Sequence, residues 1–115
     1  MNFIRSIALN RVNKLYKKKD FLKVLQLYSI LLTNVDEYGV YRNVFRVLSL
    51  INTGNESAKA EYGLMLNEGQ LKLLPPADEE YINLYIFKIA NKNHEPLEYK
   101  YNLREVSKHT LKYFS

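Results

Sequence analysis

Tyr38-Gly39-Val40-Tyr41-Arg42-Asn43-Val44-Phe45-Arg46-Val47-Leu48-Ser49-Leu50-Ile51-Asn52 is the stretch on which the fold class turns. Its valines, tyrosines and phenylalanine suit a strand on residue propensity alone. The apolar pairs Val40/Tyr41, Val44/Phe45, Val47/Leu48 and Leu50/Ile51 nevertheless step by three and four residues. That spacing gathers them on one face of a helix and scatters them over both faces of a strand. Period outranks propensity here, because a helix of this length is held mainly by the face it buries. The stretch reads as a helix, and the same spacing recurs along most of the chain, so the expected fold is all-α.

Working outward, the sequence divides into six helices. The first covers about Asn2 to Lys17, with Ile4, Ala8, Val12, Leu15 and Tyr16 on one arc and Arg11, Lys14 and Lys18 on another. Asp20 is placed to cap a second helix, about Phe21 to Thr33, whose apolar residues nearly encircle it and make it an interior element. The polar break Asn34-Val35-Asp36-Glu37 precedes the quoted helix, and Thr53-Gly54-Asn55 follows it. A fourth helix runs about Glu56 to Asn67, with Gly63 read as a point of close helix approach and Gly69 as the stop. Gln70 to Pro76, with the only Pro-Pro pair, is the candidate hinge. A fifth helix starts near Ala77, its first turn carrying Asp78, Glu79 and Glu80 where the dipole favours acids, and its apolar body is read as interior. Pro96 opens a sixth, about Pro96 to Phe114. Short connections force neighbouring helices to run antiparallel, giving three hairpins, about 2–34, 38–68 and 77–114, in one domain.

The 115 residues, 47% hydrophobic and 25% charged with four Gly and three Pro, suit one globular domain and exclude collagen and disorder. No Cys is present, which rules out disulfides, thiolate zinc sites and a Cys nucleophile, and points to the cytoplasm. The N-terminus lacks the apolar core of a signal peptide, and no apolar stretch approaches the roughly 20 residues of a membrane span, so a soluble monomer without membrane insertion is expected. Charge is uneven. Residues 1–23 carry seven Lys/Arg against Asp20 (+6), residues 24–80 four against eight acids (−4), and residues 81–115 six against three (+3).

Two segments repeat. Tyr16-Lys17-Lys18-Lys19-Asp20-Phe21 and the residues to Tyr28 are followed about 35 residues later by Ile51-Asn52-Thr53-Gly54-Asn55-Glu56 and the residues to Tyr62. This resembles the tetratricopeptide repeat, in which a helix ends in a Gly-Asp or Gly-Asn turn and the next helix carries a small residue. Gly54-Asn55, Ala60 and Leu64 match the pattern; the first unit has Lys19-Asp20 for the turn and Val24 for the small residue, and the unit from Ala77 to Ser115 keeps only the two-helix length. The resemblance covers about two thirds of the chain and implies a right-handed solenoid that binds a protein or peptide on the face lined by the first helix of each pair. It places Arg42, Phe45, Arg46 and Ser49 on that face, followed by Asn83 and Phe87. Arg42 and Arg46 stand one turn apart with no acid three or four residues away, which reads as an anion-accepting pair for an acidic partner.

Catalytic chemistry finds little support. His94 and His109 stand in no metal-ligand pattern such as His-Glu-x-x-His, the glycines form no phosphate cradle or nucleophile elbow, and the acids at 78–80 are explained by a helix N-terminus. No cofactor or metal is expected. The sequence therefore points to a non-enzymatic interaction module, an adaptor or an inhibitor of the immunity type. The alternative is a nucleic-acid-associated protein using Arg11, Lys14, Lys17 and Lys18 at one end and Lys100, Arg104, Lys108 and Lys112 at the other. Ten tyrosines are available for base stacking, but Tyr28, Tyr41, Tyr62, Tyr85 and Tyr99 fall at core spacing.

Overall fold

The structure, a computed structural model, describes residues 2–92. The region read as the sixth helix, with Lys100, Arg104, Lys108, Lys112, His94, His109 and Tyr99, lies outside the described residues. Those described form α1 (Asn2–Lys17), α2 (Phe21–Leu27), α3 (Glu37–Asn52), α4 (Ser57–Asn67), a 3₁₀ helix (Gln70–Leu73) and α5 (Pro76–Lys92), with no strand among them. The all-α expectation is thus met. No described helix is long and apolar enough to cross a membrane.

Helix α3 is the hub. It packs on α1, α2, α4, α5 and the 3₁₀ helix, while α4 reaches α5 through the Tyr62 hydroxyl, which donates to Asn83. The pairs that identified it as a helix are its buried ones: Val40, Tyr41, Val44, Phe45, Val47, Leu48, Leu50 and Ile51 are all buried. Asp36, in extended conformation, accepts a hydrogen bond from the Gly39 N–H at 3.0 Å and caps the helix start. Tyr16 ties α1 to this hub. Its ring lies 5.5 Å from Phe21 and 5.6 Å from Phe45, Asn52 Nδ2 donates to its hydroxyl at 3.3 Å, and the Tyr85 hydroxyl of α5 lies 3.4 Å away. Burial pushes the Tyr16 phenol pKa upward, with the Tyr85 hydroxyl adding to the effect. Tyr41 and Tyr62 are buried as core spacing requires, while Tyr28 and Tyr85 are half-buried.

Two turns have the same geometry. After α1, Lys19 adopts left-handed backbone (φ 62°), its N–H bonds to the Tyr16 carbonyl at 2.9 Å, and the Asp20 N–H bonds to the Leu15 carbonyl at 3.0 Å. After α3, Gly54 does the same (φ 69°), with Gly54 N–H to the Ile51 carbonyl at 3.0 Å and Asn55 N–H to the Leu50 carbonyl at 2.9 Å. Both are Schellman closures, which satisfy the last carbonyls of a helix while reversing the chain.

Several expectations are corrected. Helix α2 ends at Leu27 instead of Thr33, and it is not interior: Val24 alone is buried, while Leu22 and Leu27 are exposed. Asp20 makes no side-chain cap bond. Gly63 is not a close approach, since a Cβ there would meet nothing within 4 Å; the crowded glycine is Gly39 in the first turn of α3, where a Cβ would come within 2.8 Å of Val35 Cβ in the segment just before the helix. The 70–76 connection is docked, with Gln70, Leu71 and Leu74 buried against the helices around it.

Candidate binding cleft

Helix α2 stops early because α3 claims the backbone that would continue it. In a longer helix the Tyr28 carbonyl would accept from the Leu32 N–H. Instead Arg46 Nη1 donates to the Tyr28 carbonyl at 2.6 Å, Arg42 Nη2 to the Ile30 carbonyl at 2.6 Å, and Asn43 Nδ2 to the Leu32 carbonyl at 2.8 Å. Asn43 Oδ1 accepts the Leu32 N–H at 3.2 Å, so one amide side chain pairs with both sides of a single residue's backbone. Gln70 Nε2 adds a second bond to the Leu32 carbonyl at 2.8 Å, and Asn43 Nδ2 also donates to Gln70 Oε1 at 2.9 Å. Polar backbone left without partners is costly, and here three side chains of one helix supply them.

This arrangement relocates the sequence-derived site. Phe45 and Ser49 are fully buried and cannot line an open groove. Arg46 is not free to take an anion: its Nε and Nη2 form a fork on Glu61 of α4 at 2.7 and 2.8 Å, with both side chains largely shielded. Glu61 lies 15 residues away in sequence, beyond the three- and four-residue window in which no acid was found. Asn83 is buried and accepts a hydrogen bond from the Tyr62 hydroxyl, and Phe87 is half-buried. The six groove residues therefore do not converge on one accessible face. Arg11, Lys14, Lys17 and Lys18, by contrast, are all exposed along and just beyond α1.

What the same contacts create is a cleft of about 580 Å³ between α1, the segment 28–36 and the first turns of α3. Leu9, Leu32 and Val35 supply apolar wall, Tyr28 and Tyr38 supply rings, and Arg42 supplies charge. The Arg42 guanidinium lies over the Tyr28 ring, 4.8 Å from its centroid, in cation–π contact. Both of its hydrogen bonds, to Ile30 and to Asn43 Oδ1 at 3.2 Å, leave from Nη2, while its buried Nε has no partner. Burial lowers the Arg42 pKa, offset in part by the Tyr28 phenol; burial raises that phenol's own pKa, offset by Arg42 and then Arg11. Of these lining groups only Arg42 was singled out by sequence reasoning. Tyr28 and Leu32 read as helix and Val35 as part of a polar break, because the local sequence carries no signal that α3 holds the segment open. Among the described residues no three His, Cys, Asp or Glu side chains gather to hold a metal.

Compared with known protein families, with curated proteins and with solved structures, the chain matches none.

Proposed function

We propose that this protein acts without catalysis, by docking another protein on the outer face of α2 and the segment that follows it, and that its first four helices are two copies of a tetratricopeptide-like hairpin. The observation that carries the docking reading is the exposure of Leu22 and Ile30, at 67% and 65%, together with Leu27. Leu22 and Ile30 are the most exposed large apolar side chains among the described residues, and a partner seated there would cover them. The neighbouring Lys17, Lys18, Lys19 and Lys23 are exposed as well. Exposed apolar side chains among basic ones complement an acidic, amphipathic segment, with the charges steering encounter and the leucines and isoleucine supplying affinity. The 35-residue recurrence of the Schellman turn supports the repeat reading.

The test is capture from a lysate with the tagged full chain, divided into nuclease-treated and untreated halves. Protein retained after nuclease and lost with Leu22→Ser/Ile30→Ser supports the docking surface. Material removed by nuclease, or lost with Lys14→Glu/Lys17→Glu/Lys18→Glu and steeply sensitive to salt, assigns the function to nucleic acid on α1 and overturns it.

A further inference from the structure

We propose that the cleft between α1 and the 28–36 segment binds a small organic anion with a compact apolar body, its charged head on the Arg42 guanidinium. The volume, about 580 Å³, falls within the range of roughly 300–1,000 Å³ that small-molecule pockets occupy. The walls are of two kinds. Leu9 on one side and Leu32 and Val35 on the other would enclose an apolar body, and the Tyr28 and Tyr38 rings offer faces for a planar one.

Two arginines a turn apart on α3 are neutralised to different degrees. Arg46 has a carboxylate fork from Glu61. Arg42, equally part of the packing, has a carbonyl, an amide oxygen and an aromatic face, and no carboxylate. Neutral acceptors stabilise a guanidinium without cancelling its charge, so a half-buried cation remains in the wall of an apolar cleft. Its lowered pKa is the electrostatic expression of that deficit, which an incoming anion would relieve. Arg11, exposed on α1, bears on the same Tyr28 phenol and adds to the positive potential at this end. Asp36 is the carboxylate among the lining residues. It stands exposed at the margin, its Oδ1 engaged by the Gly39 N–H, where water screens it more than the half-buried guanidinium.

The experiment titrates the full chain with anilinonaphthalene sulfonate, an apolar aromatic anion, and with phenylnaphthylamine, the same ring system without the sulfonate, reading fluorescence. A single saturable site is expected, with the neutral probe about tenfold weaker, the loss that one charge-assisted contact accounts for. Arg42→Gln should bring the sulfonate down to the affinity of the neutral probe. Because that variant also removes a contact to Ile30, Ala8→Phe is the companion: it narrows the mouth from α1, leaves every Arg42 bond in place, and should weaken both probes. Leu22→Ser/Ile30→Ser should change neither. Equal affinity for the two probes overturns the anion assignment. Loss of binding in Leu22→Ser/Ile30→Ser with Ala8→Phe unaffected places the dye on the α2 face and overturns the cleft, while leaving the protein-docking reading standing.

Discussion

The α1–α2 and α3–α4 hairpins begin alike and finish differently. Each first helix is 16 residues long and ends in a left-handed residue whose neighbours close the same two backbone bonds. Yet α4 continues for 11 residues, to Asn67, whereas α2 lasts seven and gives way to an irregular segment of turn and bends. The turn therefore fixes only the reversal of the chain. The length of the returning helix depends on what the partner helix offers its backbone. Helix α3 faces the returning chain of the first hairpin with Arg42, Asn43 and Arg46, side chains that compete with helical hydrogen bonds. To α4 it presents one ion pair, Arg46 with Glu61, which leaves the α4 backbone to itself.

The sharpest way to break this contrast is at Arg46, which serves both hairpins. Arg46→Met strands the Glu61 carboxylate and the Tyr28 carbonyl together. A loss of about 2–3 kcal/mol is expected in urea unfolding, less than the roughly 3–5 of a fully buried pair because both side chains keep some exposure. Arg46→Met/Glu61→Leu should recover part of it. Asn43→Leu is next, at about 2 kcal/mol, since it removes both bonds to Leu32 and the bond to Gln70 from a fully buried site. Its signature is regional: hydrogen exchange should accelerate at Leu32 and its neighbours while α4 keeps its protection. Equal acceleration in both hairpins would show that the segment and the rest of the molecule open as one unit.

Helices α1, α3, α4 and α5 were legible in the sequence because each buries residues at helical spacing, and the left-handed turn at Gly54 because Gly-Asn names it. Phe21 to Leu32 misled for a physical reason. Nearly every residue there is apolar, so spacing assigns no face, and the end of the helix is set by side chains 12–18 residues further on. The candidate site was legible only in Arg42. Phe45 and Ser49 were correctly placed on α3 but assigned to a face that the fold covers, and Glu61 reaches Arg46 from another helix. Pairing across elements leaves no periodic trace in one sequence.

The two turns themselves can be equalised. Lys19 holds the left-handed conformation at a steric cost that Gly54 does not meet. Lys19→Gly should stabilise by about 0.5–1 kcal/mol, the relief being reduced by the added freedom of glycine in the unfolded chain, and Gly54→Ala should destabilise by about 1 kcal/mol. Thermal unfolding of the pair measures both. Shifts of one sign would show that the two turns are not equivalent in energy despite their equal geometry.

The smallest expected difference lies one residue further, at Asp20 and Asn55, which occupy the same place after the two left-handed residues. Asn55 Oδ1 accepts from the Ser57 N–H at 2.9 Å and the Ser57 hydroxyl at 2.8 Å, covering donors at the start of α4. Asp20 makes no such bond, and the start of α2 relies on the Asp20 carbonyl, which the Val24 N–H reaches at 3.3 Å. Asn55→Ala should cost about 1 kcal/mol, as loss of a helix cap does, and Asp20→Ala less than about 0.5 kcal/mol, as an exposed position outside any bond does. Removing Asp20 also lifts a negative charge from a helix start, where the dipole favours it, and that accounts for the small residual loss. Chemical denaturation of the two variants beside the parent separates these contributions. A cost at Asp20 equal to that at Asn55 would mean that the carboxylate caps α2 in solution, and the shortness of α2 would then rest on the arginine and asparagine contacts of α3 alone.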